Sequence, residues 1–358
     1  MTKWLKVGIN MIKTVLVTGG AGYIGSHICV ELLDDDYEVI VVDNLSNSSE
    51  ESLNRVEQIA GKSLTFYQMD VCNEQDLTTV FKAHHIDAVI HLAGLKAVGE
   101  SCEKPLLYYQ NNLMASLTLF EVMQDFNVNN LVFSSSATVY GDPATVPITE
   151  DFPLSTTNPY GRTKLMIEEM LMDLVAASTD LNVVTLRYFN PVGAHESGLI
   201  GEDPNGIPNN LLPYIAQVAI GKLAKVSVFG GDYATKDGTG VRDYIHVVDL
   251  AKGHLKALQA MTNPKNKASE HYRAYNLGTG CGYSVLEMID AFKQVSAKEI
   301  PYQIVARRSG DIAECYAEAI LANQQLDWIA QKTLVDMVTD SWRWQTANPD
   351  GYHTTTSS

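Results

Sequence analysis

Residues 14–25 read TVLVTGGAGYIG, an apolar, β-branched run that ends in a glycine-rich turn. Such a run is typical of a buried strand. The glycines allow backbone N–H groups to approach a pyrophosphate, and a helix that begins at the turn adds its positive dipole end. The stretch therefore predicts a strand, a turn and a helix that bind a dinucleotide at the turn.

An acidic residue at the end of the next apolar run, Glu38–Asp43, supports this interpretation. Asp43 lies 18 residues after Gly25, near the roughly 20-residue spacing at which a carboxylate accepts hydrogen bonds from the adenosine ribose. Because it would repel a 2′-phosphate, NAD is favoured over NADP. Asp70 ends the third run and is predicted to face the adenine, unless it only caps the segment that follows.

Apolar runs alternate with helical patterns through the first half of the chain, which predicts a Rossmann-like, doubly wound α/β fold with a parallel sheet. Prolines and glycines are more frequent after Asn190, which indicates a smaller C-terminal substrate-binding lobe. We expect an NAD-binding domain over residues 12–189 and a lobe mainly over 190–352, with a segment near 240–260 returning to the first domain. The predicted strands are Thr14–Thr18, Glu38–Asp43, Leu64–Asp70, Ala88–Ala93, Leu131–Ser134 and Val183–Tyr188, and the predicted helices include Ser26–Leu33, Pro105–Phe126 and one that begins at Pro159.

The charge of the chain restricts its partners. Its 358 residues include 42 acidic and 26 basic side chains, a formal net charge of -16. We expect no nucleic-acid partner for such a chain, because binding a phosphate backbone requires a basic surface. A small anionic substrate remains compatible if a few arginines converge in a cleft. The candidates are Arg187, Arg242, Arg307 and Arg308, with a solvated surface charge as the alternative for Arg307.

The five cysteines are scattered and contain no C-x-x-C pair, and the nine histidines contain no H-E-x-x-H. We therefore expect no disulfide framework and no metal site, and a reducing, cytoplasmic location. No apolar run approaches the roughly 18 residues of a membrane helix. Residues 1–12 are predicted to be a short extension rather than a signal peptide, and Thr354–Ser358 a frayed tail.

Tyr160 and Lys164 are four residues apart and share one face of the helix predicted from Pro159, and Ser136 follows a predicted strand. A tyrosine acts as a base near neutral pH only if its pKa of about 10 is lowered by roughly three units. A nearby ammonium and a cationic nicotinamide both act in that direction. A chance surface pair is the alternative, but the upstream dinucleotide turn favours catalysis. The apolar stripe that follows is predicted to pack in a core or subunit contact: Leu165, Met166, Met170, Leu171, Leu174 and Val175.

Four further segments carry a family resemblance. They read SSSATVYG at 134–141, AGLKAVGES at 93–101, RYFNPVGAH at 187–195 and GVRDYIH at 240–246. With the glycine turn and the Tyr160/Lys164 pair, they are similar to the UDP-glucose 4-epimerases, members of the extended short-chain dehydrogenase/reductases. The resemblance covers about residues 13 to 352.

This resemblance implies an isomerase of galactose metabolism that interconverts UDP-galactose and UDP-glucose with bound NAD. The sugar is oxidised at C4, the 4-keto sugar rotates, and it is reduced on its opposite face. Ser136, Tyr160 and Lys164 would be catalytic, and helices 105–126 and 159–175 would pair in a homodimer. The residues expected to contact NAD are Gly19, Gly22, Tyr23, Ile24, Gly25, Asp43, Asn44, Asn47, Ser48, Asp70, Val71, Leu92, Ala93, Gly94, Leu95, Lys96, Asn111, Ser136, Tyr160, Lys164 and Phe189. Those expected to contact the UDP-sugar are Lys96, Ser136, Tyr160, Asn190, Asn210, Leu211, Ser227, Val228, Phe229, Arg242, Arg308, Asp311 and Cys315.

Cys315 bears on the size of the sugar. Family members restricted to unmodified hexoses carry a tyrosine at this position, and the smaller cysteine leaves room beside C2 for an N-acetyl group. We therefore expect UDP-N-acetylglucosamine and UDP-N-acetylgalactosamine to be interconverted as well. The alternative is a buried, inert cysteine whose space is refilled by a neighbour.

Two other functions are considered. Nucleotide-sugar 4,6-dehydratases begin with the same oxidation but need an Asp-Glu pair after the serine, where this chain has Ala137 and Thr138, which cannot act as acid and base near neutral pH. A non-catalytic NAD-sensing protein is the second. It would not need the intact set of Ser136, Tyr160 and Lys164.

Overall fold

The computed structural model describes residues 12–178, 180–204, 206, 208, 210–262, 271–308 and 310–352. The N-terminal extension before Ile12 and the predicted tail Thr354–Ser358 lie outside these residues. In chain order the strands are β1 Thr14–Thr18, β2 Glu38–Asp43, β3 Thr65–Gln68, β4 Ala88–His91, β5 Asn130–Ser134, β6 Asn182–Tyr188, β7 Asn190–Val192, β8 Val226–Phe229, β9 Val241–His246, β10 Tyr272–Leu277, β11 Gly282–Ser284, β12 Tyr302–Val305 and β13 Glu314–Cys315. The helices are α1 Tyr23–Asp34, α2 Glu50–Ala60, α3 Glu74–Ala83, α4 Val98–Glu103, α5 Pro105–Asp125, α6 Pro159–Ala177, α7 Leu211–Ala219, α8 Val247–Thr262, α9 Val285–Ser296, α10 Ile320–Leu326 and α11 Leu334–Ala347.

Seven parallel strands form the central sheet, in the order β10-β6-β5-β4-β1-β2-β3. The predicted parallel, doubly wound sheet is therefore confirmed. The strand order reverses between β1 and β4, where open α/β sheets bind ligands at the carboxyl ends of their strands. The glycine turn follows β1 at this point.

Alternate residues of each strand enter separate cores on the two faces of the sheet. Val15 and Val17 pack with residues of α1, α2 and α8, whereas Leu16 packs with residues of α3, α5 and α6. This alternation follows from the two-residue period of a strand. Both faces are covered, which explains why the strands read as continuous apolar runs.

The predicted stripe on α6 is mostly core. Leu165 and Leu171 are buried, and Met170, Leu174 and Val175 are half-buried against the core. Met166 differs, since its side chain is exposed.

A third apolar cluster lies in the C-terminal part of the chain, between α7, α9 and α11 and the strand β8. Its small sheets are β8 paired with β12, and β9 paired with β7, β11 and β13. The segment after β9 returns to the first core, because α8 contributes Leu250 and Leu258 to it and β10 joins the central sheet. Among the described residues, no helix is long and apolar enough to cross a membrane.

Candidate active site

The glycine turn is closed so tightly that side chains are excluded from it. Gly19 has φ +74°, and a Cβ on Gly25 would lie 2.3 Å from the Gly19 carbonyl oxygen. Helix α1 begins at Tyr23, and its N-cap residue, Gly22, supplies no side-chain hydrogen bond. The turn therefore presents a helix N-terminus without a capping side chain, and this cradle fits the pyrophosphate of a dinucleotide.

Asp43 is buried at the end of β2 and holds the turn in place. Its Oδ2 atom accepts a hydrogen bond from the Ala21 backbone N–H at 3.0 Å, and Oδ1 accepts from Leu45 N and the Ser48 hydroxyl, both at 2.9 Å. Asn47 lies in the same loop, exposed. The carboxylate thus stands beside the glycine turn, where the sequence analysis places the ribose.

Asp70 follows β3, which ends two residues earlier than predicted. Its carboxylate accepts hydrogen bonds from Cys72 N at 2.9 Å and from the Asn44 amide at 3.2 Å. Burial alone would raise the pKa of Asp70, but these hydrogen bonds lower it below its ordinary value. The hydrogen bond to Cys72 N agrees with the alternative that Asp70 caps the segment after β3. That Asp70 also faces the adenine stays a prediction.

The segment 92–96 follows β4, which also ends two residues earlier than predicted. The N–H groups of Leu92 and Ala93 both donate to the Thr18 carbonyl, so the chain bends away from the sheet. The buried Asn112 holds the later part of this segment, at Leu95. Its amide exchanges hydrogen bonds with Leu95 N (2.8 Å) and Leu95 O (3.0 Å), and donates to the Thr163 hydroxyl on α6 at 3.0 Å. Sequence reasoning missed Asn112, since only its neighbour Asn111 belongs to the resemblance.

The three predicted catalytic side chains are all buried and lie at the carboxyl end of β5. The helix α6 begins with Pro159 in its first turn, and Asn158 caps it through Gly161 N at 2.8 Å. This start places Tyr160 against Ser136. Burial raises the pKa of Tyr160 to about 12, while a hydrogen bond with the Ser136 hydroxyl acts to lower it.

Lys164 donates from Nζ to the Ser134 carbonyl at 2.8 Å and lies 4.9 Å from the Phe133 ring centroid. Burial lowers the pKa of Lys164 to about 8, and the carboxylate of Glu168 partly opposes this. The sequence predicts a lowered pKa for Tyr160. The protein side chains alone give a raised one, so the lowering would require the cationic nicotinamide.

Six of the predicted substrate residues lie on β8, on β9 and in the segment that precedes β13. Ser227, Val228 and Phe229 belong to β8, and the Arg308 guanidinium lies 3.8 Å from the Phe229 ring centroid. Arg242 lies 3.8 Å from the carboxylate of Asp311. Arg307 is exposed and pairs with Asp232 at 2.7 Å, as the surface-charge alternative describes.

One carboxylate joins the two parts of the predicted site. The Oε1 atom of Glu202 accepts from Asn210, the N-cap residue of α7, at 2.5 Å and lies 3.3 Å from Lys96 Nζ. A predicted cofactor contact and a predicted substrate contact therefore meet at one side chain. Asn190 is exposed in β7, and Leu211 is the first residue of α7.

With this geometry described, comparison with known proteins identifies the family. The model of the NAD-dependent epimerase/dehydratase family matches residues 15–278. The chain belongs to this family.

Individual relatives agree over nearly the whole chain. The UDP-glucose 4-epimerase of Bacillus subtilis is 62% identical over 94% of this chain and 98% of its own length, and that of Dictyostelium discoideum is 59% identical over 94% and 97%. The crystal structure of the UDP-glucose 4-epimerase of Bifidobacterium longum in complex with NAD+ and UDP is 56% identical, with a TM-score of 0.91 over 95% of this chain and all of that one.

Arg187 does not reach the predicted epimerase site. Its side chain is buried and forms an ion pair with Glu168, Nη2 to Oε2 at 2.7 Å, while Nη1 donates to the Tyr140 hydroxyl at 3.1 Å. These contacts do not support Arg187 as a ligand of an anionic substrate. The Arg187 guanidinium extends from β6 and pairs inside the fold with Glu168, which lies one helical turn beyond Lys164 on α6.

Cys315 and Phe189 lie in one small apolar cluster beside the catalytic residues, together with Ala137, Val139 and Leu165. The thiol is buried, which raises its pKa to about 11. It is therefore almost wholly protonated at neutral pH.

Among the described residues, no group of three or more His, Cys, Asp or Glu side chains could hold a metal ion.

Proposed function

We propose that the protein interconverts UDP-galactose and UDP-glucose by inverting carbon C4 of the sugar, with NAD as the bound cofactor. The observation that carries this proposal is the buried Tyr160, which faces the Ser136 hydroxyl at the carboxyl end of β5. The same edge of the parallel sheet carries the glycine turn after β1 and the 92–96 segment after β4. An acid-base pair beside a dinucleotide cradle is what such a reaction requires.

NAD would be held by the glycine turn, Asp43 and the 92–96 segment. When bound, it supplies the oxidation and re-reduction of C4. Tyr160 accepts the proton of the C4 hydroxyl and later returns it, and the Ser136 hydroxyl orients this exchange. Lys164 contributes positive charge one helical turn from Tyr160.

The nucleotide would be held away from the sugar. Arg242 and Arg308 carry guanidinium groups, which match pairs of phosphate oxygens and remain charged. Asn210 is the N-cap residue of α7, and Phe229 ends β8. With the UDP held in this lobe, the 4-keto sugar can turn its other face to the cofactor.

The direct test is to incubate the purified protein with UDP-galactose and to analyse the product by mass spectrometry and NMR. UDP-glucose of unchanged mass is expected. Loss of water would instead indicate a 4,6-dehydratase. No conversion by a protein with bound NAD would indicate the sensing function.

N-acetylated sugars are proposed as further substrates. Cys315 is 8% exposed within the cluster that borders the catalytic residues, and a tyrosine there would occupy much more volume. The difference in volume leaves space for an acetamido group. Accommodating one small group in a pocket changes the discrimination between substrates by about 1–3 kcal/mol.

Cys315→Tyr should lower kcat/KM for UDP-N-acetylglucosamine by about tenfold or more while kcat/KM for UDP-galactose stays within a few-fold. Steady-state kinetics with both substrates measure the ratio. Cys281→Tyr is the matched control, because Cys281 is exposed. No activity of the unchanged protein on either acetylated sugar at millimolar concentration would contradict the proposal.

A homodimer is also proposed. Helices α5 and α6 pack on each other and expose apolar side chains beyond the core. Leu106 is 73% exposed and Met114 54%. The exposed apolar side chains on the two helices are Leu106, Leu107, Met114, Leu117, Met166 and Met172. Two copies of this pair would form a four-helix contact around a two-fold axis.

Sedimentation at micromolar concentration should show a species of about twice the 39.3 kDa chain mass. Met114→Glu should shift it to the monomer, because it places a charge in the contact. Ile320→Glu is the matched control, since Ile320 on α10 is also 54% exposed. A monomer as the only species of the unchanged protein would reject the dimer.

A cytoplasmic location is proposed as well. It is supported by the cysteines, which are free thiols at five separate sites, as expected in a reducing compartment.

A further inference from the structure

A fully buried carboxylate lies one helical turn beyond Lys164. Glu168 on α6 is 0% exposed, and its Oε1 atom accepts a hydrogen bond from the Ser135 hydroxyl at 2.5 Å. Its Oε2 atom accepts from Arg187 Nη2 at 2.7 Å and from the Tyr272 hydroxyl at 3.3 Å. The arginine makes burial of the charge tolerable, because a buried carboxylate needs both an opposite charge and hydrogen-bond donors.

The residue bound by Glu168 is the middle one of three consecutive serines. The first, Ser134, gives its carbonyl to Lys164 Nζ. The third, Ser136, faces Tyr160 and acts to lower its pKa, while the Ser136 hydroxyl oxygen accepts a hydrogen bond from Thr138 N at 3.2 Å. Ser135 therefore lies between the two residues that contact the predicted catalytic side chains, at the point where β5 has ended.

Tyr160, Lys164 and Glu168 follow one another at four-residue intervals and so share one face of α6. Each of them contacts one member of the segment 134–136. The contact of Glu168 differs from the other two, since it is a side-chain bond that neither substrate nor cofactor needs to break. It can therefore set the distance between the serine segment and the helix.

We propose that Glu168, acting through Ser135, is a positioning residue that holds Ser136 against Tyr160 and the Ser134 carbonyl against Lys164. This inference rests on the proposed epimerase function. Arg187 has a supporting part, because its bonds to Tyr140 and to the Glu150 carbonyl (3.2 Å) fix the ion pair.

Ser135→Ala tests the proposal with a minimal change, since it removes the hydroxyl and leaves the Glu168–Arg187 pair intact. We expect kcat for UDP-galactose to fall about tenfold, with KM within twofold, because the reacting groups and not the UDP contacts are displaced. The acidic limb of the kcat/KM profile should move to higher pH, because Ser136 no longer acts to lower the pKa of Tyr160. The other groups that face Tyr160 are unchanged: Tyr108 on α5, Tyr188 on β6 and Lys164 on α6.

Tyr272→Phe is the matched control. It removes a different hydrogen bond from the same carboxylate and leaves the Ser135 bond in place. Its kcat and pH profile should match those of the unchanged protein. Equal losses in both variants, or an unchanged kcat and pH profile in Ser135→Ala, would overturn the positioning role. An unchanged protein that fails to convert UDP-galactose would overturn the proposed function, and this inference with it.

Discussion

Replacement of Tyr160 by phenylalanine is expected to lower kcat for UDP-galactose by more than ~10², because general acid-base groups contribute about 10² to 10⁴. The change removes the phenol oxygen and preserves the ring that fills the buried site. Steady-state assays on protein with its NAD retained measure the effect. Tyr275→Phe is the control, since Tyr275 lies on the far strand β10, is also buried, and donates its hydroxyl to Gln325 Oε1 on α10 at 2.8 Å.

The role of Tyr160 as a base also predicts how activity changes with pH. Tyr160 must be deprotonated to accept the C4 hydroxyl proton, and in the protein alone burial raises its pKa to about 12. Below the working pKa, kcat/KM should therefore rise with pH, by up to tenfold per pH unit. The residual activity of Tyr160→Phe should lack this rise of kcat/KM with pH. Near-normal turnover by the variant would remove Tyr160 from the mechanism.

Replacement of Arg187 by glutamine is expected to lower the free energy of unfolding by about 3–5 kcal/mol, because it leaves the Glu168 carboxylate buried without its counter-charge. Urea denaturation followed by circular dichroism measures the change. Arg307→Gln is the control. Its ion pair with Asp232 is exposed, so we expect no measurable loss of stability.

The two interpretations of Arg187 predict different results. If Arg187 serves only as the internal partner of Glu168, its replacement lowers the free energy of unfolding. If Arg187 instead binds the UDP phosphates, its replacement raises KM for UDP-galactose. A raised KM with an unchanged free energy of unfolding would therefore support a substrate contact.

The fold could be predicted because its information is local. The strands β1 and β2 have the predicted bounds, since a strand buried on both faces must be an unbroken apolar run. The errors lie where tertiary contacts decide the bounds. Segment 92–93 leaves the sheet because both of its N–H groups bond the Thr18 carbonyl, a contact that no local pattern contains.

The site residues likewise fall into those that local spacing predicts and those that only tertiary contacts bring together. Spacing alone brought Tyr160 and Lys164 to one face of α6, and the structure places them there. The sequence makes Arg187 a candidate for binding an anionic substrate, because its partner, Glu168, lies on another element and only the fold brings the two together. The bridge from Lys96 through Glu202 to Asn210 was missed for the same reason, since it joins segments 106 residues apart.

The central claim is that carbon C4 is oxidised and then reduced on its opposite face within one active site. UDP-galactose carrying deuterium at C4 tests it directly, when incubated with the purified protein without added NAD and followed by ¹H NMR. We expect UDP-glucose that retains the deuterium at C4, because the carbon-bound hydrogen never exchanges with water. UDP-glucose that has lost the deuterium to solvent, or an absence of UDP-glucose, would contradict it.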